Sequence, residues 1–273
     1  MLYFFVHHLI LNSALKDIII QGYRIPMSRQ SRFRTFITLL VCAYSVVTYA
    51  WQELRSGLSY QDLAPVMIHD WSHIHVFKIN LKQYRFELVQ HHQTEQHFPT
   101  IHQYAAYQNS LLTFNGGFFD KKQHPLGLRI SNHHQLNPFK SISWWGVFYI
   151  EHGKPYIKSA RHFHKNSNIE FAIQSGPRLL VDGHIPSLHP GYAERTVLCI
   201  LPNQEVAVVI TQYYPASLTH LARILQKAPL HCQQAINLDG GSSTQFLAKF
   251  SGFYHYMSGI SSVSDAISVI PRS

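Results

Sequence analysis

Acidic residues are scarce in this chain: Asp and Glu together number 14 among 273 residues, against 23 Lys and Arg. Charged residues make up only 14% of the sequence, and the formal net charge is +9. The basic residues beyond the N-terminal region are scattered, without a stripe of alternating basic and aromatic side chains. A nucleic-acid-binding groove is therefore not expected. A modest positive field still favours anionic ligands such as phosphorylated glycans.

Motifs for metal binding are also lacking. The sequence has 20 histidines but no HExxH, CxxC or comparable ligand spacing. His73 and His75 are predicted to share one face of a strand, and most histidines lie away from the motifs described below. We interpret the histidines as surface polar residues and expect no metal or other cofactor.

Cysteine is rare, at three residues, and Cys42 lies in an N-terminal apolar segment. The remaining two, Cys199 and Cys232, could pair in an oxidising compartment. Cys199 falls inside an apolar strand pattern, however, and buried free cysteines are common. Free thiols are the favoured interpretation, and a disulfide is the alternative.

No apolar run is long enough for an ordinary membrane helix, which needs about 20 residues. The segment 36–50 is uncharged, follows several arginines, and ends in Thr48-Tyr49-Ala50, an acceptable cleavage site. Residues 27–50 are therefore predicted to be a signal peptide, with a retained N-terminal anchor as the alternative. Because the basic region of a signal should begin the chain, we predict that Met27 is the initiator and that residues 1–26 extend the gene model. The product would be periplasmic or secreted.

One carboxylate has unusual local scaffolding. Ala235 to Leu238 is short and apolar, as in a buried strand, and it runs into Asp239, Gly240 and Gly241, followed by Ser242 and Ser243. Paired glycines allow a sharp turn or the close approach of a ligand. Asp239 is either the cap of an ordinary turn or a catalytic acid.

Three further segments set polar groups beside a strand. Asn115, Gly116 and Gly117 follow a predicted strand and precede Phe118 and Phe119. Ser175, Gly176 and Pro177 form a bend before Arg178, and Asp182-Gly183 follows. Arg195 and Thr196 stand at the mouth of an apolar strand. Each segment alone is also compatible with a turn or a solvated strand end.

Taken in order, these four segments resemble the phosphodiester glycosidase domain family, over about residues 70 to 270. The family pattern contains Asn-Gly-Gly-Phe-Phe, Ser-Gly-Pro-x-Leu ending in Asp-Gly, Arg-Thr at a strand start, and Asn-Leu-Asp-Gly-Gly-Gly-Ser-Ser. This chain has one glycine fewer in the last element, which predicts a tighter loop after Asp239.

The resemblance implies a site with divided tasks. A departing phosphate monoester is a weak base that hardly needs protonation, so the usual requirement for two carboxylates relaxes. We expect Asp239 to act at the sugar carbon, Arg195 to stabilise the phosphate, Arg178 to assist it as a substrate contact, and Asn115 to bind the sugar. One of Phe118 and Phe119 is expected to form an apolar wall and the other to be core; Phe119 is taken as the wall. The remaining predicted substrate contacts are Gly116, Gly117, Ser175, Gly176, Thr196, Gly240, Gly241, Ser242 and Ser243.

The hydrophobic patterns predict an α+β fold, a mixed multi-stranded β-sheet core with a few helices, in a single domain at 51–273. Segments 73–81 and 85–91 suggest a hairpin. Helices are expected near 101–110 and from Ser217 to Pro229. The strand, helix and strand of 206–238 are compatible with a parallel crossover.

The predicted function is an exported hydrolase that cleaves a sugar-1-phosphodiester on a glycan or envelope polymer. Its expected partner is a phosphorylated or phosphodiester-linked carbohydrate, with no nucleic acid and no stable membrane span after cleavage. A non-catalytic glycan-binding or envelope-assembly protein with the same pocket is the alternative.

The signal-peptide interpretation predicts that the mature protein begins near Trp51. N-terminal sequencing of the exported protein tests this prediction directly, and a cytosolic product that retains residues 1–26 would contradict it.

Overall fold

The computed structural model describes residues 51–94, 96 and 98–272. The predicted extension 1–26 and signal segment 27–50 lie outside the described residues. No helix in the described part of the chain is both long and apolar enough to cross a membrane.

The strands are short and numerous. In chain order they are β1 (Gln52–Arg55), β2 (Leu58–Asp62), β3 (His73–Ile79), β4 (Tyr84–Gln90), β5 (Leu112–Asn115), β6 (Arg129–Ser131), β7 (His134–Asn137), β8 (Gly146–Glu151), β9 (Lys154–Ser159), β10 (Ile169–Ser175), β11 (Arg178–Leu180), β12 (Tyr192–Ala193), β13 (Thr196–Ile200), β14 (Val206–Gln212), β15 (Ala216–Ser217), β16 (Gln234–Asn237), β17 (Phe246–Phe250), β18 (Phe253–Met257) and β19 (Asp265–Pro271). The α-helices are α1 (Ile101–Gln108) and α2 (Leu218–Gln226), and short 3-10 segments cover Val66–Ile68, His91–Thr94, Ala160–His162 and Gly241–Ser243.

A seven-stranded sheet is the centre of the fold. Its order is β1-β2-β3-β14-β13-β16-β11. Side chains of β3 alternate between two cores, as the period of a strand requires. Ile74 and Val76 pack with residues of α2 on one face, whereas Phe77 and Ile79 pack on the other face with residues from the smaller sheets. Burial on both faces explains the nearly continuous apolar sequence of the central strands.

Two five-stranded sheets cover the face of the seven-stranded sheet that α2 does not. Their orders are β7-β6-β10-β8-β9 and β18-β17-β5-β19-β4. Strands β12 and β15 form a separate two-stranded ribbon. The chain returns repeatedly from one sheet to another, so the ends of strands from different sheets come together.

Both predicted helices are present, with identifiable N-caps. The hydroxyl of Thr100 accepts a hydrogen bond from Gln103 N, and the side chain of Gln103 accepts one from Thr100 N, which completes a capping box for α1. The hydroxyl of Ser217 accepts from His220 N at the start of α2. In α2, Leu221, Ala222 and Leu225 form the buried face. The sequence prediction of an amphipathic helix that begins after Ser217 is confirmed.

The predicted hairpin of segments 73–81 and 85–91 is wrong. Strand β3 pairs with β2 and β14, whereas β4 pairs with β19 in another sheet. The turn between β3 and β4 carries the chain from the seven-stranded sheet to a five-stranded sheet, where β4 pairs with β19 over its whole length.

The α+β class and the multi-stranded core are confirmed. Every pair of neighbouring strands in the described residues is antiparallel, for example β13 with β14 and β13 with β16. The sheets are therefore not mixed, whereas we had expected a mixed sheet. Strands β14 and β16 therefore run in the same direction, as the crossover predicted, but β13 lies between them.

Cys199 and Cys232 form a disulfide, so the favoured interpretation of free thiols is wrong. Their Cα atoms lie 5.9 Å apart although the two residues are 33 positions apart in sequence. The bond joins β13 to the segment before β16 within the core beside α2. Closing a loop of this length stabilises a fold by about 2–4 kcal/mol.

His75 is an exception to the interpretation of histidines as surface residues. It is fully buried, with Nδ1 2.9 Å from the Tyr60 hydroxyl and Nε2 2.8 Å from Gln212 Oε1. Burial lowers the pKa of His75 to about 4, so its ring is neutral at ordinary pH. His73 stacks on it at 5.0 Å, which confirms that the two share a strand face.

Candidate active site

The four sequence segments meet where the three large sheets adjoin. Asn115 ends β5, Ser175 ends β10, Thr196 begins β13 and Asn237 ends β16, so one strand from each smaller sheet meets two from the central sheet. Side-chain hydrogen bonds connect the segments directly. Thr196 Oγ1 donates to Asn115 Oδ1 at 2.7 Å, and Asn115 Nδ2 donates to Asp239 O at 2.9 Å.

A cavity of about 680 Å³ opens at this junction. It is large enough for a sugar with a phosphate, since ligand pockets commonly span about 300–1,000 Å³. Arg195 and Asp239 both line it, whereas Asn115, Ser175 and Arg178, which we expected in the same cleft, do not. Its other lining residues are Phe118, Trp144, Gly176, Pro177, Ser187, Leu188, His189, Ala193, Leu218, Asn237, Gly240 and Gly241.

Asp239 is a half-buried carboxylate on the wall of this cavity. Burial raises the pKa of Asp239 above its ordinary value, and the negative charge of Asp265 acts in the same direction. Hydrogen bonds from the Ser243 side chain and from Gly240 N, together with the positive charge of Arg129, oppose that rise. The net effect makes Asp239 a stronger base than a solvated aspartate, which suits a group that exchanges a proton with water or substrate.

Arg195 presents a cation without a neutralising carboxylate. Its Nε donates to Ala216 O at 3.0 Å and its Nη2 to Gly191 O at 2.9 Å, and no carboxylate among the described residues forms an ion pair with it. The neighbouring Glu194 is occupied elsewhere, accepting from the Thr211 hydroxyl and from Tyr214 N. The two carbonyls fix the plane of the guanidinium while its charge remains available to an anion in the cavity.

Asn115 does not face the cavity. Its side chain is fully buried and makes four hydrogen bonds: Oδ1 accepts from Thr196 Oγ1 and Gln245 N, and Nδ2 donates to the carbonyls of Gly116 and Asp239. The predicted sugar contact by Asn115 is therefore replaced by a positioning role. Thr196, also fully buried, belongs to the same network rather than to the cavity surface.

The glycines serve close packing more than ligand binding. A Cβ on Gly116 would overlap Asp265 Oδ1, and one on Gly117 would lie 2.6 Å from an Nη atom of Arg129. After Asp239, Gly240 N donates to the Asp239 carboxylate at 2.9 Å and Gly241 N donates to Glu194 O at 2.8 Å. Both N–H groups already have partners within the protein, so neither is free to donate to a substrate. Gly240 and Gly241 still line the cavity.

Of the two aromatic residues after Gly117, Phe118 forms part of the cavity wall and Phe119 packs in the core, whereas we predicted Phe119 as the wall. Phe118 lines the cavity and stacks on Trp145 at 5.3 Å. Phe119 packs instead against a buried cluster that includes Val89 and Tyr104. The chain turns after β5, so which of two adjacent rings faces the cavity depends on the turn and not on strand alternation.

Of the remaining predicted contacts, Gly176 lines the cavity and the others lie around it. Ser175 is fully buried, while Gly176 reaches the wall. Arg178 packs beside Gly146 of β8, and burial lowers its pKa. Ser243 is buried and donates to Asp239, whereas the exposed Ser242 offers its carbonyl to Ile260 N and Ser261 N.

Sequence reasoning missed a buried ion pair behind the site. Arg129 Nε lies 2.7 Å from Asp265 Oδ2, and both side chains are fully buried. Arg129 also donates to backbone carbonyls of β10 and of the turn after β5, including Gln174 O and Phe118 O, each at 3.2 Å. In the sequence, each residue appears only as a single charge within an apolar segment, at 128–130 and at 263–270. The two residues are 136 positions apart, and a single sequence does not show that they pair.

The Arg129–Asp265 pair gives a stability prediction. Asp265→Asn leaves the Arg129 charge buried and uncompensated, which should lower the free energy of unfolding by about 3–5 kcal/mol in denaturant titrations. The matched control is Glu170→Gln in the partly exposed pair with Arg272, whose side chains are 21% and 32% exposed. That change should cost no more than about 1 kcal/mol. Equal losses in the two variants would contradict the special position of the buried pair.

Known protein families and curated proteins include relatives of this chain. Residues 108–270 match the phosphodiester glycosidase family, NAGPA. Among curated proteins, the chain is 27% identical over 190 residues to the uncharacterized protein YigE of Escherichia coli K12, covering 64% of this chain and 74% of that protein.

Among solved structures, the catalytic domain of zebrafish N-acetylglucosamine-1-phosphodiester alpha-N-acetylglucosaminidase, auto-inhibited by its pro-peptide, superposes with a TM-score of 0.61 at 16% identity. The match covers 85% of this chain and 91% of that domain. A hypothetical protein from Synechocystis matches with a TM-score of 0.57 at 15% identity, over 84% of this chain and 64% of that one. At these identities the structural matches establish the fold alone. The family match spans well over half of the chain and includes all four motif segments, so the chain belongs to the phosphodiester glycosidase family.

Proposed function

We propose that this protein is an exported hydrolase that cleaves a sugar-1-phosphodiester on a glycan or envelope polymer. The observation that carries the proposal is that one cavity holds Arg195, which has no carboxylate partner among the described residues, and Asp239, whose pKa burial raises. An unpaired cation suits a phosphate, and a carboxylate nearby suits the sugar carbon bonded to it. The zebrafish relative named for N-acetylglucosamine-1-phosphodiester supports the same substrate class.

The reaction needs one base and one anion-binding group. Asp239 accepts a proton from water as the water oxygen bonds to the anomeric carbon. The bond between that carbon and the phosphate oxygen breaks, and its electron pair leaves with the phosphate. Arg195 stabilises the negative charge that develops on this leaving group. Because a phosphate monoester is a weak base, no second carboxylate is required to protonate it.

The surroundings suit each group to its task. Burial and the charge of Asp265 raise the pKa of Asp239, so the ionised carboxylate is more basic than one in water. Phe118 and Trp144 give the cavity an apolar side against which the hydrophobic face of a sugar ring can pack. The excess of basic residues adds a general attraction for anionic substrates.

Export is part of the proposal. The disulfide between Cys199 and Cys232 supports an oxidising compartment, because such bonds are rare in reducing cytosol. The predicted signal segment 27–50 agrees with it.

The proposal predicts different effects for two substitutions in the cavity. Asp239→Asn should lower the rate of hydrolysis of a glycosyl methyl phosphate by at least about 10², because the base is lost while the side-chain volume is kept. Arg195→Ala should also lower kcat/KM, and by a larger factor on the phosphodiester than on an aryl glycoside whose leaving group carries no charge. The measurement is steady-state kinetics on both substrates.

Matched controls separate these effects from general damage. Asp70→Asn and Arg223→Ala change the same residue types at exposed positions outside the cavity and should leave both rates unchanged. Full activity of the Asp239→Asn protein would remove Asp239 from the mechanism. Equal losses on the two substrates would make Arg195 a structural residue. Binding of the phosphodiester without any turnover by the wild type would favour a glycan-binding protein instead.

A further inference from the structure

Asn237 lines the cavity with a buried side chain whose orientation is fixed. It is 3% exposed and ends β16, two residues before Asp239. Its Nδ2 donates to Gly176 O at 3.4 Å and to Leu238 O, and its backbone N donates to Pro177 O at 3.0 Å. Since a carbonyl oxygen can only accept, the nitrogen of the amide must face these two carbonyls.

The oxygen of the same amide has no partner. Asn237 Oδ1 is buried and makes no hydrogen bond to any described residue. Buried acceptors of this kind are uncommon in folded proteins because the lost hydration is not recovered. Ser175 Oγ and Trp145 Nε1 are also unpartnered, but neither residue lines the cavity. Asn237 therefore carries the one such acceptor in the lining among the described residues.

The position of Asn237 relative to Asp239 limits what can bind. Asp239 follows in the turn after β16, and its side chain lines the same cavity. Leu238 points to the opposite side, into the core between the sheets. Ala235, two residues before Asn237 on β16, packs in the core beside α2 with Leu188 and Leu218. Leu188 and Leu218 line the cavity together with Asn237. Asn237 and Asp239 can therefore contact one sugar ring.

We propose that Asn237 Oδ1 determines sugar specificity by accepting a hydrogen bond from a hydroxyl or acetamido N–H group on the same ring whose anomeric carbon faces Asp239. This assignment rests on the proposed function for the identity of the ligand as a sugar phosphodiester. A buried acceptor discriminates strongly, because an analogue that lacks the donor leaves the oxygen unpaired in the complex.

The test compares ligands rather than proteins alone, since Asn237→Ala also removes the tie to Gly176 O. Asp239→Asn protein is titrated calorimetrically with glucosyl methyl phosphate and with N-acetylglucosaminyl methyl phosphate. It is then titrated with analogues in which hydrogen replaces one hydroxyl or an acetoxy group replaces the acetamido group. One analogue should bind at least about tenfold more weakly than its parent. In the Asn237→Ala, Asp239→Asn double variant that difference should fall to less than about twofold. Gln234→Ala, on the same strand but outside the cavity, should preserve the full difference in the same background.

Each result decides the assignment. Equal discrimination with and without Asn237, or no discrimination by either protein, overturns it, and so does failure of every sugar to bind. The proposed hydrolysis is judged separately, from turnover by the wild type. Discrimination that depends on Asn237 without turnover would retain this assignment and reject the hydrolase. Turnover by the wild type, with discrimination that is unchanged by Asn237→Ala, would retain the hydrolase and reject this assignment.

Discussion

The buried side chain of Asn115 is the interaction on which the site depends. Its amide satisfies hydrogen-bonding groups on segments that lie 81, 124 and 130 positions away in sequence. Through Thr196 it holds the start of β13, and through the carbonyl of Asp239 it holds the turn after β16. Arg195 and Asp239 flank these two contacts, so the distance between the cation and the carboxylate is fixed by a group that does not touch the cavity. An amide suits this task because it donates and accepts without adding charge to the site.

The charged residues behind the cavity pair with each other, whereas Arg195 in the cavity wall has no carboxylate partner among the described residues. Arg129 and Asp265 neutralise each other beneath the turn at Gly116 and Gly117, where side chains would not fit. A buried ion pair of this kind is weak as a source of stability but strongly position-specific, because loss of either partner leaves a buried charge. Asp265 raises and Arg129 lowers the pKa of Asp239, and burial decides the net rise. Arg195, in contrast, is bound to neutral carbonyls and keeps its full charge for an anion.

The parts of the site that follow from local sequence could be predicted, and the parts that depend on distant contacts could not. A short apolar run into Asp239 and two glycines specifies a strand end with a carboxylate at its edge, and the structure has that arrangement. The roles of Asn115 and the pairing of Arg129 depend on residues more than 80 positions away. The disulfide likewise required Cys199 and Cys232 to lie on neighbouring segments, which strand pairing determines. Helix α2 was predictable because its cap and apolar face are both local.

The central claim is that the cavity cleaves the bond between the sugar carbon and the phosphate oxygen. Hydrolysis of a glycosyl methyl phosphate in water enriched in ¹⁸O, followed by mass spectrometry of the released methyl phosphate, tests it most directly. If Asp239 activates water against the anomeric carbon while Arg195 holds the leaving phosphate, the label enters the sugar and the methyl phosphate remains unlabelled. Label in the methyl phosphate would mean attack at phosphorus and would contradict the account.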